Sequence, residues 1–85
     1  MAYKLEIAPS AQRQIRRLDT PIRKRIAKAI DGLAAEPRPP DVKKLTAEDD
    51  LWRIRVGDYR IIYQIMDRRL TVLVVEVGHR GDIYR

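Results

Sequence analysis

The sequence predicts an α+β domain in which two N-terminal helices pack on one face of a mainly antiparallel four-stranded sheet, in the order β-α-α-β-β-β. Three stretches carry the prediction. Residues 51–66 alternate apolar and polar side chains on either side of a Gly-Asp pair, the pattern of a β-hairpin. Residues 10–35 hold two runs with apolar positions at helical spacing, the second opened by Thr20-Pro21. Residues 70–77 are apolar at nearly every position, as in a central strand covered on both faces.

Tyr3, Leu5 and Ile7 alternate with Lys4 and Glu6, which predicts a short first strand ended by Pro9-Ser10. Ser10 is a candidate N-cap for a helix over residues 10–18, whose buried stripe is Ala11, Ile15 and Leu18. Thr20 offers a capping hydroxyl to the second helix, and Pro21 sits where its missing N–H costs nothing. Ile22, Ile26, Ala29, Ile30 and Leu33 form its apolar stripe, and the helix ends near Ala35, ahead of three prolines that cannot continue it. Residues 36–50, including Val42 and Leu45, read as an ordered connection with a short extended piece.

The hairpin can be read residue by residue. Gly first in a two-residue loop suits a type II′ turn. Counting outward, Val56 faces Tyr59, Arg55 faces Arg60, Ile54 faces Ile61, Arg53 faces Ile62 and Trp52 faces Tyr63. One face of the hairpin is aromatic and aliphatic and is expected to meet the helices, so Trp52 and Tyr63 read as core. The other displays Arg53, Arg55 and Arg60. Like charges directly opposite cost about 0.2–1 kcal/mol, so Arg55 across from Arg60 calls for a reason beyond folding, and a bound polyanion supplies one. For the last strand, a three-residue turn at Asp67-Arg68-Arg69 sets Glu76 opposite Arg60, whereas four residues aim it at the helices. The first is expected, because it spares a lone buried carboxylate. Gly78 is expected to break that strand.

Composition bounds the rest. Eighty-five residues make one domain spanning 1–85, with a single core. Eighteen Lys and Arg against twelve Asp and Glu give a net charge of +6 and a pI near 10.1, which points to a polyanionic partner. The charge is uneven: residues 10–30 carry seven bases and one acid, residues 31–50 six acids and three bases. With no cysteine, disulfides, thiolate metal sites and cysteine nucleophiles are excluded. His79 is the single histidine, so no multi-histidine metal site exists, and neither metal nor cofactor is expected. No apolar run suits a signal peptide or a membrane span, which predicts a cytoplasmic location with no membrane partner.

The hairpin Trp-Arg-Ile-Arg-Val-Gly-Asp-Tyr-Arg-Ile-Ile-Tyr and the ending Val-Gly-His-Arg-Gly-Asp-Ile-Tyr-Arg, in this order of elements, resemble the RelE/ParE toxins of toxin–antitoxin systems, most closely the RelE branch. The resemblance covers essentially the whole chain. It implies a RelE-like fold and a type II toxin that acts as a ribosome-dependent endoribonuclease, cutting messenger RNA in the A site of the 30S subunit and so inhibiting translation. It also implies a RelB-like antitoxin partner and contact with operator DNA only through the toxin–antitoxin complex. Carried over residue by residue, the family's basic pair falls on Arg53 and Arg55, its strand arginine on Arg60, the following one on Arg80, and its C-terminal tyrosine on Tyr84. Metal-free RNA cleavage needs the 2′-hydroxyl deprotonated, the phosphorane charge stabilised and the leaving 5′-oxygen protonated. Arg60 and Arg80 suit the second task, since a guanidinium fork matches phosphate oxygens. Tyr84 is the candidate base or a stacking platform, with His79 and Glu76 as alternatives. Some relatives carry lysines where this chain has Arg53 and Arg55; guanidinium holds its protons, so these two stabilise charge and do not shuttle protons. Two other readings remain: a ParE-like toxin that poisons DNA gyrase, and a basic nucleic-acid-binding module without catalysis.

Overall fold

The computed structural model describes residues 2–46 and 50–79. Its elements are β1 (Lys4–Ile7), α1 (Pro9–Arg16), α2 (Thr20–Ala35), β2 (Lys43–Thr46), β3 (Leu51–Val56), β4 (Tyr59–Met66), a 3-10 turn (Asp67–Arg69) and β5 (Thr71–His79). The strands form one sheet in the order β1-β5-β4-β3-β2. β1 runs parallel to β5 and the other pairings are antiparallel. The α+β arrangement is the expected one, with five strands in place of four. The added strand is β2, the extended piece of the connection, which pairs with β3 through Lys43 opposite Arg53 and Lys44 opposite Trp52. Four residues at a sheet edge, two of them lysines, lack the apolar alternation that marks a strand.

α1 starts at Pro9, with Ala8 as its cap and no side-chain cap bond. Ser10 reaches the sheet instead, its hydroxyl donating to the Val75 carbonyl at 3.2 Å. α2 is capped by Asp19, also without a side-chain bond, and Thr20 is its first residue, with its hydroxyl accepting from Arg23 at 3.2 Å. The apolar stripes meet the sheet as read: Ala11, Ile26, Ile30 and Leu33 pack with Ile54, Ile61, Tyr63, Ile65, Val72, Val74 and Val77. Tyr63 is fully buried, and its hydroxyl donates to the Pro37 carbonyl at 2.6 Å, tying the proline-rich connection to the core. No helix among the described residues is long and apolar enough to cross a membrane.

The β3–β4 register is the predicted one at every pair from Trp52–Tyr63 to Val56–Tyr59. Gly57 has φ of 61°, as the first central position of a type II′ turn requires. A Cβ there would lie 3.2 Å from the Arg25 guanidinium of α2, which could shift aside, so it is the conformation that calls for glycine.

The β4–β5 connection departs from expectation. Met66 pairs with Thr71, so the turn takes four residues, 67–70, with Leu70 left-handed at φ 47°. Four residues alone would turn Glu76 toward the helices. The ladder shifts between Ile62 and Tyr63, which pair with Glu76 and Val74 and leave Val75 as a bulge. The extra residue reverses the faces beyond it, so Glu76 shares the arginine face, opposite Ile62 and not Arg60. Gly78 does not end the strand: it pairs with Arg60, and the ladder closes at His79 opposite Tyr59.

Candidate active site

Arg53, Arg55 and Arg60 share one face because two strands deliver them there, although only Arg53 and Arg55 line a common cleft. Directly opposed residues share a face, with Cβ atoms about 4.5–5.5 Å apart. Arg55 faces Arg60, and Arg53 lies two residues back along β3, so it points the same way. Arg60 has Gly78 on its other flank, a neighbour with no side chain to crowd the guanidinium.

The three are not equally displayed. Arg55 is exposed, whereas Arg53 and Arg60 are each only 6% exposed. This corrects the picture of an open arginine face. Arg53 is an interior position of the ladder, between Lys43 and Ile62, and Arg60 lies between Arg55 and Gly78; the burial reaches the guanidiniums themselves, at Nε of both and at one terminal nitrogen of Arg60. The Arg53 Nε–H is buried with no acceptor among the described residues. A buried donor left unmet costs about 1–3 kcal/mol, more when charged, and an anion at the guanidinium would remove that cost.

Arg53 and Arg55 line a cleft of about 270 Å³ together with Asp41 and Lys43. Neither Asp41 nor Lys43 was visible as a site residue in the sequence; Lys43 arrives on β2, and its signal was the short extended piece around Val42 and Leu45. The cleft thus holds three cations against one carboxylate. Among the described residues, none of Arg53, Arg55 and Lys43 forms an ion pair. Glu76 lies on the same sheet face, half-buried. His79 is opposite Tyr59, and the two rings meet edge to face with centroids 5.4 Å apart. Arg80 and Tyr84, the other two expected site residues, lie outside the described residues.

A second basic cluster is built on the helix side. Arg38 donates to both Asp67 oxygens, at 3.3 and 2.9 Å, and Tyr3 donates its hydroxyl to the same carboxylate at 2.7 Å. The Arg38 bond, with Tyr3 second, holds the Asp67 carboxyl below the usual carboxylate range. The bond to Asp67 in turn raises Tyr3 and Arg38 above their ordinary values. Arg38 and Lys44 both lie over the Trp52 ring, 4.9 and 5.2 Å from its centre. Trp52 is accordingly part of the packed helix-side surface, as its register predicted, and burial pushes the neighbouring Tyr63 phenol well above its ordinary range.

The family model described as the ParE toxin of type II toxin–antitoxin systems, parDE, matches residues 5–84. The mRNA interferase toxin RelE of Escherichia coli (strain K12) is 30% identical over 88 residues, covering 99% of this chain and 92% of the relative. Toxin RelG of Mycobacterium tuberculosis is 30% identical over 86 residues, covering 100% of this chain and 99% of the relative. Among solved structures, the archaeal RelE–RelB complex from Pyrococcus horikoshii OT3 superposes with a TM-score of 0.85 at 30% identity, covering 96% of this chain and 99% of that one. The intact E. coli RelBE toxin–antitoxin complex gives 0.80 at 29% identity, covering 92% of this chain and 96% of that one.

Proposed function

The chain belongs to the ParE toxin family of type II toxin–antitoxin systems, and from that membership we propose that it is a ribosome-dependent, metal-independent endoribonuclease that cuts messenger RNA in the ribosomal A site and so stops translation. The observation that carries this reading is the Arg53–Arg55–Arg60 cluster. Two arginines stand directly opposite each other in the ladder, and a third is buried with its Nε unmet among the described residues. Like charges directly opposite cost the strand pairing about 0.2–1 kcal/mol, and a phosphate gives the arrangement a use. The relatives named as mRNA interferase support it further.

In the reaction, the 2′-oxygen attacks phosphorus as the bond to the 5′-oxygen breaks. Arg60 and Arg80 stabilise the charge that develops on the phosphorane oxygens, and Arg53 and Arg55 hold the phosphate in line. Each such donor is worth about 10²–10³ in rate. Tyr84 takes the 2′ proton. A toxin of this kind needs a silencing partner. The relatives solved as RelB–RelE complexes support a RelB-like antitoxin, and a basic cleft suits an acidic segment that folds on binding.

The test is to incubate the purified protein with ribosomes carrying a defined message, with naked RNA as control, and to map the cut. Cleavage within the A-site codon on ribosomes and none on naked RNA is expected. Intact message on ribosomes overturns the nuclease reading, and inhibition of gyrase supercoiling by the same preparation assigns the ParE-type activity instead.

A further inference from the structure

The cluster of guanidiniums leaves one chemical task without an owner. Guanidinium does not give up a proton near neutral pH, so Arg53, Arg55 and Arg60 stabilise charge but cannot protonate a leaving group. The strand that the sequence hid brings a different cation to the same place. Lys43 is directly opposite Arg53 across the β2–β3 ladder, which sets both on one face. It lines the same cleft of about 270 Å³ as Arg53, Arg55 and Asp41. Its neighbour Lys44 goes the other way, lying over the Trp52 ring and pairing with Asp50 at 3.7 Å. Lys43 has no such commitment: it is exposed, and among the described residues its ammonium forms no ion pair.

We propose that Lys43 is a further catalytic residue, the general acid that protonates the leaving 5′-oxygen. The assignment rests on the nuclease reading above. The O2′–P bond forms and the P–O5′ bond breaks. The 2′ proton goes to the base, the ionised phenolate of Tyr84 in that reading, which releases it to water after the reaction, while Lys43 Nζ delivers a proton to O5′. The products are a 2′,3′-cyclic phosphate and a 5′-hydroxyl end, and the neutral amine regains its proton from water. An alkoxide is far more basic than an amine, so the transfer runs downhill, and a positioned general acid contributes about 10²–10⁴ in rate.

Single-turnover cleavage on programmed ribosomes, at saturating protein, tests this with Lys43→Ala and Lys43→Arg. Each is assayed on an ordinary message and on one with sulfur replacing the bridging 5′-oxygen at the scissile position. Lys43→Ala should cut the ordinary message at least about 10²-fold more slowly, with thermal unfolding unchanged. Lys43→Arg, which keeps the charge, should not recover the rate. Both variants should match wild type on the sulfur message, because a thiolate departs without a proton. Recovery by arginine, or a defect that persists with sulfur, overturns the general-acid role. A Lys43→Ala variant as fast as wild type also removes Lys43 alone, whereas wild type that cuts neither message removes the nuclease reading, and Lys43 with it.

Discussion

The two basic clusters of this molecule use the same side chains to opposite ends. Around Asp67, the two cations over Trp52 have counterparts: Arg38 grips the carboxylate with two nitrogens, Lys44 pairs with Asp50, and both cover the ring. On the other side of the sheet, Arg55 faces Arg60, Lys43 faces Arg53, and the Arg53 Nε is buried with no acceptor among the described residues. The first cluster joins Tyr3, just ahead of β1, to the proline-rich connection and the β4–β5 turn, so its charges serve the fold. The second sets like charges side by side on strands that would pair more stably without them.

The comparison breaks most visibly at Arg60. Arg60→Ala should lower cleavage on programmed ribosomes by about 10²–10³-fold while leaving the fold intact, checked by circular dichroism at the assay temperature. Retained cleavage by the folded variant would take Arg60 out of the mechanism. The structural side should respond the other way. Tyr63→Phe deletes the 2.6 Å bond to the Pro37 carbonyl inside a fully buried site. It should cost about 1–2 kcal/mol in denaturant unfolding, with cleavage per folded molecule unchanged; a stability equal to wild type would show that the connection is held by other contacts.

How far the sequence foretold these clusters follows from the range of the forces involved. The hairpin register was legible to the residue, because period-two alternation and a glycine-first turn leave a single pairing. The stripes of α1 and α2 were legible from their apolar positions at helical spacing. β2 was not, since a short edge strand carrying two lysines is stabilised by its partner and not by its own pattern. The Val75 bulge was equally hidden: nothing local to Val-Val-Glu marks the extra residue, and the Ser10 hydroxyl that meets the Val75 carbonyl comes from 65 positions away. The arginine cluster was therefore readable where it depended on the hairpin and unreadable where Lys43 joins it. The partial burial of Arg53 and Arg60 is a property of the assembled ladder alone.

A smaller effect sharpens the claim that one cluster opposes folding. Arg55→Thr removes the like charge facing Arg60 and installs a residue suited to strands. It should stabilise the domain by about 0.2–1 kcal/mol, read as a shift in urea midpoint, while slowing cleavage. A variant both less stable and slower would mean that Arg55 contributes to packing, and the contrast between the clusters would fail at that residue.

The smallest effect belongs to the neutralised cluster, and its sign is fixed by linkage. Asp67 has its carboxyl lowered by Arg38 and Tyr3, so the folded state binds that proton less readily than the unfolded chain. The associated stability is complete above the unfolded carboxylate value of about 3.9 and fades as pH falls through the lower folded value. The carboxylate is exposed, so solvent screens the interaction and the contribution is modest. Tyr3 shifts upward, so its contribution is complete below about pH 10 and fades as pH rises past that point. Asp67→Asn should therefore lower the midpoint of thermal unfolding slightly between pH 5 and 8, and the gap from wild type should close below about pH 4. A gap that stays constant down to pH 2 would assign the loss to side-chain packing and not to charge, and the Arg38–Asp67 pair would then differ from the arginine cluster in geometry alone.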